Sequence, residues 1–458
     1  MKKLIVIGGL GLCILLLVKC QKSSVFPSDQ YNDQLSGGSE TVFDATSGSF
    51  GNIFPGITGV YDIHVHDLGD LVFNQEFVTE PAVIHGGLGP VYNNTACSDC
   101  HHNDGIGLPT AGGTQSSLLM RISLPGADEH GGPVPVPGYG LQVQDKATFG
   151  ISPEANVNIA YTYQELSFAD GTPYELRSPV YTLNNLYLPI NGTYLLSPRL
   201  APPMIGLGLL EAVPESEIVA GADPNDANGD GIKGHANYVW DAATQSRQLG
   251  RFGWKANTAS ILTQVATAFN QDMGVTSSVL PVESSYGQSQ YDGLKDDPEL
   301  PDSLLNAVKF YAQTLAVPAR RNTTDATVKR GETIFIAAKC ASCHRQTLTT
   351  GVDVTRPYLS NQVIHPYTDM LVHDMGPGLA DNRPDFGASG QEWRTSPLWG
   401  LGLVTTVNNP GYYLHDGRAR TLVEAIMWHG GEAEGSKAYF SNLSSADRAA
   451  VIKFLQSL

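Results

Sequence analysis

Cysteine is scarce in this 458-residue chain: there are six, and four of them fall in two copies of one spacing. Positive charge is scarce as well. Lys and Arg number 28 against 45 Asp and Glu, a net charge of -17. That balance argues against nucleic acid and against an anionic membrane surface as partners, and it suits a basic redox protein. Long apolar runs are missing apart from Leu4 to Val18, which is too short to span a bilayer comfortably. No disulfide framework is available, because the two remaining cysteines, Cys13 and Cys20, lie in the first 20 residues. Glycine (49) and proline (28) are plentiful, which favours long ordered loops over a bare helical bundle.

The two copies are Cys97-Ser98-Asp99-Cys100-His101 and Cys340-Ala341-Ser342-Cys343-His344. Two cysteines two residues apart can form thioethers to both vinyl groups of one haem, and the adjacent histidine then falls under the iron. The expectation is two covalent haems c. A structural zinc would need its cysteine pairs much closer together in the chain. A redox dithiol would leave the following histidine a coincidence twice over. A disulfide suits a two-residue gap poorly.

Residues 1–20 have the pattern of a signal peptide: Lys2 and Lys3, then the apolar run. Cys20, trailed by Gln21, Lys22, Ser23 and Ser24, looks like a bacterial lipoprotein cleavage site, although Lys19 stands where a small residue is usual. The expectation is an exported protein of a Gram-negative bacterium, periplasmic or anchored to the outer membrane by a lipid on Cys20. That lipid would be its one membrane contact. Residues 21–55, rich in Ser, Gly, Asn and Asp, read as a tether or irregular arm.

The first haem domain is expected over 56–320 and the second over 325–458, with Pro318-Ala319-Arg320-Arg321-Asn322 between them. The fold expected is mainly α. Long loops and small β-hairpins would be inserted in the first half, where runs such as Tyr161-Thr162-Tyr163-Gln164-Glu165-Leu166 alternate. Helices are expected from Ile261, over Asp302 to Leu315, over Val328 to Ala338, and from Ser444 or Ser445 to Leu458. Asp226, Asn228, Asp230 and Gly231 copy the first half of a calcium loop, but Asn237 stands where a bidentate Glu is due. An Asp/Asn/Gly turn without metal is the alternative.

The halves echo each other beyond the haem motifs. Arg199…Pro202…Gly206-Leu207-Gly208-Leu209 matches Arg394…Pro397…Gly400-Leu401-Gly402-Leu403. Trp254…Leu262…Gln264 parallels His415…Leu422…Glu424. The expectation is an internal duplication of one cytochrome-c-like unit.

These motifs, with Tyr367-Thr368-Asp369 to His373 and His415-Asp416-Gly417 before Thr421-Leu422, resemble the bacterial di-haem cytochrome c peroxidase superfamily. Within it they look closest to the di-haem oxidoreductase family, over most of residues 90–458. The resemblance implies an open haem that reduces hydrogen peroxide and a second haem that relays electrons. Trp254 would be the bridge between them. Gln264 and Asp272 would line the pocket of the first haem, with Asp272 shuttling a proton. The distal ligand of the second haem would be His429, paired with His344, which lowers the haem potential. Met427, Met375 and His373 are its rivals. His415 and His373 would hold propionates or the distal ligand, and His102 and His130 are the residues able to close the first haem. Two further readings stand beside the peroxidase. One is oxidation of an organic or protein substrate or activation of dioxygen, and the other is an electron carrier without catalysis. A small cytochrome c or a cupredoxin would be the electron donor, and a homodimer is compatible.

Overall fold

Several of the helices start where the sequence supplies acceptors for their first amides. Asp325 takes the amides of Thr327 and Val328 at 2.7 and 3.1 Å, Thr421 that of Glu424 at 3.1 Å, and Ser444 that of Asp447 at 3.2 Å. The structure, a computed structural model, describes residues 33–82, 84–112 and 116–458. The signal-peptide pattern, Cys13, Cys20 and the start of the expected arm therefore lie outside the described residues.

Ten α-helices occur among them: α1 (Val60–Phe73), α2 (Leu207–Glu211), α3 (Glu215–Val219), α4 (Ile261–Met273), α5 (Asp302–Thr314), α6 (Ala326–Ala337), α7 (Val404–Val407), α8 (Leu422–Trp428), α9 (Glu434–Ser441) and α10 (Ser445–Leu455). None is long and apolar enough to cross a membrane. Residues Gln34–Leu458 form one compact unit. From Gln34 onward the segment read as an arm is packed: Phe50 and Phe54 are buried, and Thr41-Val42 pairs in parallel with Val317-Pro318.

The expectation of a mainly α chain of cytochrome-c-like helical domains fails. Helix takes only 27% and strand 18%. The strands make seven sheets among the described residues, six of two strands and one of three. The physical reason lies in the glycine and proline content noted above. It breaks the chain into short extended pieces that satisfy their backbone groups pairwise rather than along helices. The largest sheet element is a hairpin, Asn156–Ser167 with Pro173–Asn184, in register over twelve residue pairs. It is far longer than the small hairpins expected.

Two helix pairs nevertheless share one local arrangement. In the first, Gly69 of α1 faces α5 so closely that a Cβ would stand 2.2 Å from Ala307 O. In the second, Gly331 of α6 faces α10, and a Cβ would stand 2.0 Å from Ala450 O. One turn later Phe73 meets Tyr311 (5.2 Å between centroids) and Phe335 meets Phe454 (5.1 Å). The same two phenylalanines reach His101 (6.1 Å) and His344 (6.2 Å), so each helix pair supports one C-x-x-C-H turn. The larger apolar core surrounds α1, α4 and α5, and a second one surrounds α6, α8 and α10.

Candidate haem sites

Both motifs fold alike. Each begins as a single 3-10 turn, and the histidine amide donates to the first cysteine's carbonyl at 3.0 Å in both. The turn gathers the cysteines and the imidazole in one short loop. His101 donates from Nδ1 to Pro202 O (2.9 Å) and His344 from Nδ1 to Tyr367 O (3.0 Å). Each bond fixes the tautomer and leaves Nε2 as the basic atom, the form an iron ligand needs. Burial pulls both imidazoles down to about 4, so they stay neutral. Burial also pushes the Cys97 and Cys340 thiols up to about 12. The four cysteines are free of disulfides. These features fit covalent haem at both motifs.

A cavity of about 260 Å3 opens at the second motif. Cys340, Cys343, His344, Met375, His415, His429 and three tryptophans, Trp254, Trp393 and Trp399, are among its lining residues. His429 caps the end of α8 and donates from Nδ1 to Ala425 O at 2.7 Å, a last-turn carbonyl with no partner inside the helix. Its Nε2 is thereby left basic as well, and its proximity adds to the downward shift at His344. Among the rivals, His373 has both nitrogens engaged, by Asp369 and Glu432, each at 2.8 Å. Burial disfavours its charge, but those carboxylates and Cys343 outweigh it and hold His373 up to about 12. An imidazolium has no lone pair for iron. Asp369, His373 and Cys343 are also close enough to group around an ion. A thioether at Cys343 and a protonated His373 oppose that use.

The first motif is approached by Gly89–Asn94, which is clipped to the end of α4. Gly89 N donates to Met273 O (2.9 Å) and Asn93 N to Asp272 O (2.7 Å), using carbonyls that helix ends leave open. This brings Asp272 to the motif, where its charge bears on Cys97 and Cys100. Burial pushes the Asp272 carboxyl up, while Arg121 and the amide of Gln142 (2.7 Å) pull it back. Gln264 stands eight residues earlier on α4, about 12 Å along the axis, and does not share these partners. Arg121, Gln142 and Asn94, whose amide reaches Cys100 Sγ at 2.9 Å, were not found by sequence reasoning. Their signal is long-range pairing that no local motif carries.

Trp254 donates from Nε1 to Leu200 O (2.7 Å) and meets His415 edge-on at 6.5 Å. Of the residues considered able to close the first haem, His130 stacks on Trp240 at 3.9 Å. His102 is beside His101 in the chain, with a buried Nε2 that has no partner. Asp226, Asn228 and Asp230 bond to backbone amides of their own loop at 2.8 to 3.0 Å. Among the described residues no set of three acidic, His or Cys ligands close enough to share an ion includes that loop.

A model of the family described as "Di-haem oxidoreductase, putative peroxidase" matches residues 31–458. The chain belongs to the di-haem oxidoreductase family. No curated protein and no solved structure matches it. Family membership supports two haem groups in this chain.

Proposed function

We propose that the chain is an exported di-haem c oxidoreductase of the peroxidase type, reducing hydrogen peroxide at the first motif with electrons relayed through the second. The observation that supports this reading is an asymmetry. The second cavity holds His344 and His429, both with Nε2 unengaged. At the first motif the one imidazole that bears on His101 is its neighbour His102. On this reading the second site would offer two histidines to a haem and the first site one, leaving a position for peroxide.

Haem iron supplies the electron chemistry and the coordination position at which a peroxide binds. The side chains do the rest. His101 and His344 serve as neutral ligands oriented by carbonyls. Asp272, its carboxyl pushed up by burial, would give and take a proton, with Gln142 donating to it. Trp254, in the wall of the second cavity, is the bridging aromatic. The donor is a basic small cytochrome c or cupredoxin, as the net charge of -17 suggests. The lipid on Cys20 is part of the same proposal.

Electron paramagnetic resonance and optical titration of the half-reduced protein, followed by peroxide, test this. A high-spin haem that reacts within seconds supports the reading. A high-spin haem inert to peroxide moves the chemistry to dioxygen or an organic substrate. Two low-spin haems in every redox state, inert to peroxide, leave an electron carrier and overturn the proposal.

A further inference from the structure

A guanidinium inside a protein needs an anion or several carbonyls around it. Three buried cations behind Trp393 have theirs. Arg199, Lys255 and Arg383 share Asp381 and Asp385 at 3.3, 2.9 and 3.1 Å. Arg394 differs. It ends the strand Glu392–Arg394, which pairs with Val372–Asp374, and it lines the cavity that holds Cys340, Cys343, His344 and His429.

One side of Arg394 is fully used. Its amide donates to Trp254 O (2.8 Å) and its Nε to Gly253 O (2.9 Å), so the residue clamps the turn that carries Trp254. Gly253 has φ +76°, a conformation that permits that turn. The other side is not used. Nη1 reaches Thr395 O only at 3.5 Å, and Nη2 makes no hydrogen bond. Among the described residues no carboxylate forms an ion pair with Arg394. Asp369 supports its charge from further off, but that carboxylate is bonded to His373 (2.8 Å) and to Leu371 N (3.0 Å).

We propose that the free edge of Arg394 binds a carboxylate of the haem attached at the second motif, one of its propionates, while the Nε edge holds the Trp254 turn. One side chain then sets the cofactor and the aromatic bridge in register. A planar fork matches a carboxylate with two parallel hydrogen bonds, which a lysine cannot reproduce. Arg394 is a binding residue for the cofactor and a positioning residue for Trp254. The inference rests on haem at the second motif.

The test uses the full haem-loaded chain and the variants Arg394→Gln and Arg394→Lys. Three quantities are read: haems per chain by intact mass, the propionate bending band in the resonance Raman spectrum, and the potential of the low-spin haem against pH. With Gln, two haems are retained and the band shifts. The reduction equilibrium moves towards oxidised iron by about tenfold, about 59 mV for one electron, because a compensating cation is gone. The potential also becomes pH-dependent as the propionate titrates. With Lys, much of the potential returns but the band does not. A Gln variant with two haems and an unaltered band and potential overturns the proposal. If the Gln variant fails to fold, a Lys variant with the wild-type band overturns it. A wild-type band that shifts saturably with added benzoate assigns the edge to a free carboxylate and also overturns it. A wild-type chain carrying one haem, at Cys97 and Cys100 only, sinks the underlying reading instead.

Discussion

The imidazole of His415 lies flat on the indole of Trp393, with ring centroids 3.7 Å apart and planes 14° from parallel. Burial drives His415 down to about 3, so the stack is neutral on that face. On Trp393 itself sit two cations, Lys255 Nζ at 4.5 Å and the Arg199 guanidinium at 4.8 Å from the ring centroid. A cation beside an indole opposes loss of an electron from it. Trp254 is edge-on to the same imidazole, and among the described residues no cation lies over its ring.

On the proposed reading Trp254 would therefore be the better bridge of the two. Trp254→Phe is expected to slow electron transfer between the haems about tenfold, equivalent to ~1.4 kcal/mol of barrier, and to leave both optical spectra intact. Trp393→Phe is expected to change the rate much less. Stopped-flow reduction followed by single-turnover oxidation reads this, and equal effects of the two variants would sink the distinction.

The assignment of His429 separates by coordination. His429→Ala is expected to convert the low-spin signal of the second haem to high spin, while the first haem's signal stays as it was. His429→Met keeps six ligands and raises the potential, since a thioether favours the reduced iron more than an imidazole does. A low-spin second haem in the Ala variant would pass the ligand to Met375 or Met427.

Gly331→Ala sets a methyl against the backbone oxygen of Ala450, and Gly69→Ala does the same at Ala307. Overpacking of this kind costs about 1–3 kcal/mol. Chemical denaturation of each variant should show that loss, with the Gly331 change weakening the second haem site and the Gly69 change the first. Wild-type midpoints for both would mean the helices separate without cost.

Glu154 gives a pH dependence of its own. It is fully buried and accepts from Gln144 N and Gln288 Nε2, both at 2.8 Å. Burial pushes its carboxyl up from 4.5 to about 8. A raised folded-state pKa gives a contribution that is whole below pH 4.5 and is lost as the pH climbs through about 8. Across that window each pH unit should lower stability by up to about 1.4 kcal/mol. Glu154→Gln should flatten the slope, and denaturation midpoints measured from pH 4 to 9 test it.

The two C-x-x-C-H turns were legible because their geometry is local: five consecutive residues make the whole turn. The helix start at Ser444 was legible for the same reason, since a cap reaches only three residues forward. The surroundings of the first site were not. Asp272 meets Gln142, 130 residues away, and Arg121 meets Gln271, 150 residues away. The fold class was misread because two repeated helix pairs dominate the periodic signal. The short strands, many of two residues, leave almost no period to find.

The long hairpin Asn156–Ser167 with Pro173–Asn184 belongs by sequence to the first motif's half, yet it is fastened to the other. Arg177 donates to Gly417 O and Arg418 O at 2.9 and 2.8 Å, Tyr181 to Asp416 at 3.1 Å, and Asp170 pairs with Arg448 at 2.7 Å. A fragment beginning near residue 325 would lack this cover, and its Phe168 and Leu176 contacts would be replaced by water. The chain is thus held together as a garment is by a strap sewn on one side and buckled on the other.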